Sequence, residues 1–398
     1  MSSTKVFSIL GKNLKAETGQ DLEPFLTELK EMEDVEEVHF GGNSLGVDAC
    51  KAIAEILKTK KQLKIADFAD VFTGRLINEI PHALSAICDA LADHPTLEEL
   101  DLSDNAFGGR CAENMVNFLQ TNQSVQRFKL NNNGMGPAGG TIIANAIAKN
   151  AETSKAQGKT SNLRTVVCGR NRLENGSAAA WAKAFAAHEN LREVRLPQNG
   201  IRPEGIKQLA EGLSKCKNLE SLDLQDNTAT ESGTRAISAA LPSWPNLQSL
   251  NLSDLLLSPK GGISLATALG KGTNPHLHTL RLQFGEIDAR AIHILAKAIQ
   301  EHLKDLTCLE LNGNRADPED ACIEQIRDAL AGHGHEDALD ELDEMEEPES
   351  DEDEDEEAEE EEQEDEEKET ETETAPAAKV DEADELSKLM GEVSIKKE

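Results

Sequence analysis

The chain reads as an α/β solenoid, a stack of strand–helix units, and three features predict it. An apolar frame, L-x-x-L-x-L-x-x-N-x-L, returns along most of the 398 residues. Between its occurrences lie stretches in which small and apolar residues recur at helical spacing. Behind the last occurrence the composition turns almost entirely to Glu and Asp.

The frame stands as Leu97, Leu100, Leu102, Asn105, Phe107, again as Leu191, Val194, Leu196, Asn199, Ile201, and last as Leu306, Leu309, Leu311, Asn314. Its first anchors are Val35, Leu63, Leu97, Val125, Leu163, Leu191, Leu219, Leu247, Leu277 and Leu306, and five of the nine intervals are 28 residues. This is the leucine-rich-repeat pattern. Apolar residues at i, i+3 and i+5 line the inside of a short strand, and the following Asn turns inward to satisfy backbone groups without a strand partner. The second half of each unit, such as Ile206, Leu209, Ala210, Leu213, predicts a helix. Strands inside and helices outside make a curved horseshoe. Lys5 to Met32 is the expected amino-terminal cap, with Leu10 and Asn13 as a degenerate frame and a helix after Asp21, giving about eleven repeats in all. Two units lack the Asn and carry Leu255 and Gly285 instead.

Charge divides the chain. Residues 336–398 hold 33 acidic and 5 basic side chains, so of the total −35 the tail carries −28 and the body −7. The expected domains are therefore a repeat domain over 1–335 and an acidic tail over 336–398, disordered because such a run cannot bury apolar surface and repels itself. This balance is a poor match for nucleic acid and a good one for a basic protein. The start, Met1-Ser2-Ser3-Thr4-Lys5, has no apolar core of a signal peptide, and no apolar run reaches membrane length. Seven cysteines show no C-x-x-C pair, which predicts free, mostly buried thiols in a reducing compartment.

Nothing in the sequence carries self-contained chemistry. Metalloprotease, nucleophile-elbow and phosphate-loop motifs are absent, and aromatic content is 3% with no Tyr. His333 and His335 close the body, where a solvated linker is the plain reading and a metal pair the sharp one. The expectation is a protein that is not itself an enzyme.

Three segments break the frame with polar residues. The first, Asp70 to Glu79, interrupts its unit with Phe72-Thr73-Gly74-Arg75, lengthening it from 28 to 34 residues. Gly74 permits a bend, and an Arg on such a loop suits a grip on carboxylate or phosphate; the bland alternative is a surface Arg. The second is Asn131-Asn132-Asn133, in which Asn133 is structural while Asn131 and Asn132 are expected on the rim facing outward, or else simply form a turn before Gly134. The third places Arg170 and Arg172 either side of the frame Asn171, followed along the rim by Arg195, Arg202, Asp223 and Asp226. A mixed-sign strip of this kind suits a protein interface.

At these residues the chain resembles the Ran GTPase-activating protein family. The resemblance rests on Asp70-Val71-Phe72-Thr73-Gly74-Arg75 with Glu79-Ile80-Pro81, on Asn132-Asn133-Gly134-Met135-Gly136-Pro137, on Cys168 to Ser177, and on Gln198 to Gly205. It runs from about residue 6 to residue 335 and takes in the acidic tail; the short segment after that tail is similar to the compact fungal form. The resemblance implies a horseshoe that binds GTP-loaded Ran, with or without Ran-binding proteins, and stimulates hydrolysis as a monomer, with no nucleic acid or membrane partner. GTP and Mg²⁺ belong to the GTPase, so no cofactor is expected here. Residue type alone nominates Arg75 as an inserted arginine finger; the resemblance implies instead that no finger is inserted and that the activator orders the partner's switch segments and catalytic Gln. It marks Arg75 and Asn132 as the catalytic positions and Asn131, Arg170, Arg172 and Asp226 as partner contacts. Ile77 departs from the Lys the family often has there. The expected location is the cytoplasm, including the nuclear periphery. The rival readings are an acidic, histone-binding or chaperone-like leucine-rich protein, whose tail would be the functional part, and an inhibitor scaffold that grips an enzyme in its concavity.

Overall fold

The computed structural model describes residues 5–346. Within them eleven short strands form one parallel sheet: β1 (Val6–Ser8), β3 (Glu37–His39), β5 (Ile65–Asp67), β6 (Glu99–Asp101), β7 (Arg127–Lys129), β8 (Thr165–Val167), β9 (Glu193–Arg195), β10 (Ser221–Asp223), β11 (Ser249–Asn251), β12 (Thr279–Arg281) and β13 (Cys308–Glu310), paired in that order. Two further strands, β2 (Lys15–Ala16) and β4 (Ser44–Leu45), pair beside it. The helices are α1 (Glu23–Glu31), α2 (Val47–Leu57), α3 (Ile80–Leu91), α4 (Glu113–Thr121), α5 (Gly136–Ala156), α6 (Glu174–Ala187), α7 (Pro203–Leu213), α8 (Thr230–Ala240), α9 (Pro259–Leu269), α10 (Ala289–His302) and α11 (Ala321–Gly332). One strand and one helix alternate throughout, as the frame predicts, and this arc is a leucine-rich-repeat solenoid.

Register is set by the frame. Phe7, Val38, Ala66, Leu100, Phe128, Val166 and Val194 lie opposite one another in successive strands, all buried. Their neighbours on either side face the concave surface. The predicted inward asparagines form a ladder. Asn171 donates through Nδ2 to the carbonyls of Leu130 at 2.8 Å and Gly169 at 2.9 Å, while its Oδ1 accepts from the N–H of Asn133 at 3.1 Å. Asn43, Asn105, Asn133, Asn199, Asn227 and Asn314 repeat the pattern. Each amide thus satisfies groups in two units, and losing one strands buried donors at about 1–3 kcal/mol.

A second polar ladder runs along the helix side. The last carbonyls of a helix have no partner within it, and here a side chain from the next unit donates to them. Asn122 reaches Leu91 O at 2.9 Å, Asn150 reaches Leu119 O at 2.9 Å, and Trp244 Nε1 reaches Leu213 O at 2.9 Å. Lys60 Nζ donates to Met32 O at 2.8 Å, and Cys216 Sγ to Phe185 O at 3.3 Å. His333 Nε2 lies 3.1 Å from Ile299 O, and His335 Nε2 3.1 Å from Lys304 O. The two histidines are therefore part of the repeat body, not a solvated linker. Among the described residues no group of three or more His, Cys, Asp and Glu comes together to hold a metal ion, and no helix is long and apolar enough to cross a membrane.

The body also continues past the expected boundary at residue 335. Ala338 and Leu342 are buried, the N–H of Leu309 donates to Ala338 O at 2.7 Å, and the Asp340 carboxylate accepts from the N–H of Leu311 at 2.8 Å. Residues to Glu346 cover the open side of β13, leaving no unpaired strand edge there. The acidic run beyond Glu346 lies outside the described residues. All seven cysteines are free, six are buried, and burial pushes the thiols of Cys50, Cys168 and Cys216 up to about 12, which makes them inert packing groups.

Candidate functional site

The interrupted unit is anchored at both ends. Phe72 is buried against Phe107, with ring centroids 5.9 Å apart, and pairs through its backbone with Ser44. Thr73 then bonds the Asp70 carboxylate, and Gly74 takes a φ of +75°, where a side chain is rarely accommodated. That turn returns the chain so that Arg75 points back across the preceding two units.

Arg75 is not a free finger. Its side chain is 4% exposed. Nε donates to Ser44 Oγ at 2.9 Å, Nη2 to Ser44 O at 2.7 Å and to Ala16 O at 2.9 Å, and Nη1 to the Glu17 carboxylate at 2.5 Å. Four of the five guanidinium N–H groups are thereby occupied within the chain. The residue clips the amino-terminal cap, the first unit and the interrupted unit together at the edge of the β2–β4 pair. Residue type alone had suggested insertion into a partner's site, and the tether to Ala16, Glu17 and Ser44 rules that out in this conformation. Beyond the clip, Leu76 and Ile77 are exposed at 63% and 54%, large apolar side chains presented on the same loop.

Further along the rim, Asn132 is exposed and has a φ of +52°. Its backbone N–H donates to Gly169 O at 2.9 Å and its Nδ2 to Asp104 Oδ1 at 2.9 Å, so the amide is fixed and its oxygen is presented outward. Asn131 differs from expectation. It is half-buried and its Oδ1 accepts from the N–H of Gly169 at 2.6 Å, because the narrow space between units makes its amide a tie between them, not an outward contact.

Arg170, Arg172 and Asp226 are exposed, each with a φ of +54°. They share more than exposure. Asp70, Asp104, Asn132, Arg170, Gln198, Asp226, Asp254 and Phe284 all stand one place before the inward position of the frame, and all have positive φ, at 49°, 60°, 52°, 54°, 57°, 54°, 53° and 51°. A left-handed residue is needed there to swing the chain from strand to inward Asn. Glycine would do this without strain, and does so at Gly42 and Gly313; a residue with a Cβ costs about 1–2 kcal/mol. Eight non-glycine residues at a position that favours glycine make a row of side chains along one rim. Sequence reading found three of the eight; the signal for the others was available, since each directly precedes the frame position.

These features define a leucine-rich-repeat solenoid with one specialised rim. The family model described as Leucine Rich repeat matches residues 93–114, the unit around β6. Over 181 residues the chain is 45% identical to Ran GTPase-activating protein 1 of Xenopus laevis, covering 45% of this chain and 31% of the relative. Over 188 residues it is 38% identical to Ran GTPase-activating protein 1 of Saccharomyces cerevisiae (46% of each) and 42% identical to Ran GTPase-activating protein 2 of Caenorhabditis elegans (46% and 20%). The matched part spans less than half the length of each of these relatives. Over about 45% of its length the chain is thus similar to several Ran GTPase-activating proteins.

Proposed function

We propose that the chain accelerates GTP hydrolysis by the small GTPase Ran in its GTP-loaded form, binding it as a monomer through the rim at the carboxyl ends of the strands. The names of its relatives support this reading. The observation that carries it is the fixed, outward amide of Asn132, held by Asp104 and Gly169 on a backbone that would be easier to build with glycine.

In this mechanism the chain contributes position and the partner contributes chemistry. Ran holds GTP, Mg²⁺, the attacking water and the Gln that orients it. Asn132 is the group that meets the partner's reacting centre and restricts that Gln. Arg75 is a positioning residue: by clipping three units together it fixes the loop carrying Leu76 and Ile77, which docks beside the switch segments. Arg170, Arg172 and Asp226 contribute charge on the same rim. The gain comes from freezing reacting groups and excluding solvent. The site of action is the cytoplasm, where Ran-GTP arrives.

The test is single-turnover hydrolysis of GTP on Ran with the protein saturating. Asn132→Ala is expected to lower the stimulated rate by ~10²-fold or more, with thermal stability close to the parent because only one exposed hydrogen bond is lost. A parental rate from Asn132→Ala at saturation removes Asn132 from the mechanism, and no stimulation by the parent removes the function itself.

A further inference from the structure

Six large apolar side chains are exposed among the described residues: Val6, Leu10, Leu76, Ile77, Leu256 and Phe284. Single apolar residues on a surface are ordinary. Leu256 and Phe284 are set apart by their backbone. Sixteen non-glycine residues have positive φ among the described residues, and only these two are both large and apolar, with φ of +50° and +51°. A left-handed backbone is costly for any side chain with a Cβ, and most unusual for a bulky one. Neither side chain is buried in return, since each is 40% exposed.

The two belong to neighbouring segments of the rim. The N–H of Asp254 donates to Gln283 O at 2.8 Å and that of Leu257 to Gly285 O at 2.9 Å, so the loop carrying Leu256 runs beside the loop carrying Phe284. The Phe284 ring is laid over the next unit. A Cβ at Gly313 would overlap its ring carbons, so glycine there leaves room for the ring on the backbone while the side chain stays partly exposed. Phe284 stands in the same row as Asn132, and the residues of that row between them are polar or charged: Arg170, Gln198, Asp226 and Asp254. Towards the other end the interrupted unit exposes Leu76 and Ile77. The rim thus has an apolar point near each end and a polar strip between.

We infer that Leu256 and Phe284 form a second anchor for the GTPase that meets Asn132, gripping it five strands further along the rim. The inference rests on the reading that Ran is the partner. Size favours one occupant for the whole rim. Neighbouring strands lie ~4.8 Å apart, so the seven steps from β5 to β12 span ~34 Å. A single globular domain of ~200 residues, the size class of a small GTPase, is ~40 Å across. A body of that size seated on Asn132 reaches Leu256 and Phe284 as well as Leu76 and Ile77, and leaves no room for a separate protein on the apolar pair. The work divides along the rim. Asn132 acts on the reacting groups, whereas the pair buries apolar surface equally before and during hydrolysis. It therefore strengthens binding without changing the rate of the bound complex.

The experiment titrates the full chain against GTP-loaded Ran under single-turnover conditions and reads two quantities, the half-saturating concentration and the saturated rate. The double substitution Leu256→Asn, Phe284→Asn removes the apolar surface and keeps the backbone, because Asn accepts the left-handed region more readily than most residues with a Cβ. Its melting temperature is expected at or above the parent's. The half-saturating concentration is expected to rise at least ~tenfold, the effect of truncating an aromatic interface residue, with the saturated rate at the parental value. Phe284→Trp, which keeps a large ring, should stay near the parent in both. An unmoved half-saturating concentration in the double variant overturns the inference, and so does a lower saturated rate with half-saturation unmoved. Absence of stimulation by the parental chain removes the partner and the anchor together, whereas parental stimulation with half-saturation unmoved in the variant removes the anchor alone.

Discussion

Two units are longer than their neighbours, and they place the extra residues on opposite sides of the solenoid. The unit from Leu63 to Leu97 is expanded at its rim, where residues 70–79 form the clipped loop with Arg75. The unit from Val125 to Leu163 is expanded on its helix, because α5 runs over 21 residues, the longest of the eleven helices among the described residues. The first expansion is held by a charged guanidinium reaching across two units to a carboxylate that is 60% exposed. The second is held by buried neutral groups, with Asn150 bonded to Leu119 O and Asn122 O and His188 bonded to Ile147 O at 2.9 Å and Ser161 Oγ at 2.7 Å. Length alone is therefore no sign of function in a repeat. Where the extra chain emerges sets what it does: the enlarged rim exposes Leu76 and Ile77, whereas the enlarged helix adds packing.

That contrast breaks most sharply at Arg75. Arg75→Ala is expected to reduce the stimulated rate by ~10²-fold through misplacement of the loop, and Arg75→Lys should recover only part of it, because a Lys ammonium cannot reproduce the planar fork that spans Ser44, Ala16 and Glu17. A parental rate from Arg75→Ala, measured on Ran at saturation, would mean the rim expansion is as dispensable as the helical one. Next in size is Asn150→Ala, which leaves two helix-end carbonyls without their donor. It is expected to cost about 1–3 kcal/mol in urea unfolding and to leave the saturated rate unchanged.

The helical expansion should also respond to pH. Burial holds the imidazole of His188 below its ordinary value of 6.5, and does the same to His94. Below 6.5 the unfolded chain then binds more protons than the folded one. The stabilising contribution of the neutral rings is thus complete above 6.5 and is lost as pH falls from there towards the depressed folded value. Stability measured by urea between about pH 7.5 and pH 5 should fall, and His188→Asn should flatten the slope in that window; an identical slope in the variant would remove His188 as a cause. Smallest of all, Lys155→Ala on the exposed end of α5 should change stability by less than about 0.5 kcal/mol and the rate not at all.

Much of the geometry of the rim is legible in the sequence. The interruption at residues 70–79 stands out because the surrounding frame is so regular, and the rim placement of Asn132, Arg170 and Asp226 follows because each adjoins a frame Asn. Asn131 was misjudged since its neighbour Asn132 has the same chemistry and a different backbone; which of two adjacent amides faces inward depends on the gap to the next unit, here filled by the Gly169 N–H. The end of the body was placed too early because residues 336–346 are acidic in composition, while Ala338, Asp340 and Leu342 act individually to cover β13.

By itself the sequence determined the strands, the inward asparagines and the helices between them, because each is written in a local period that stays within one unit. Only the tertiary structure decided what passes between units. Lys60, Asn122, Asn150, Cys216 and Trp244 all do one job, donating to carbonyls at the end of the preceding helix. Any donor of suitable reach serves there: Asn recurs at Asn122, Asn150 and Asn274, but Lys, Cys and Trp take the place elsewhere, so no single-residue pattern runs through the units. The same holds for Arg75, whose partners lie 31 to 59 residues earlier in the chain. Stacking brings those atoms together, and the spacing of hydrogen-bond partners across stacked units is a property of the coil's geometry.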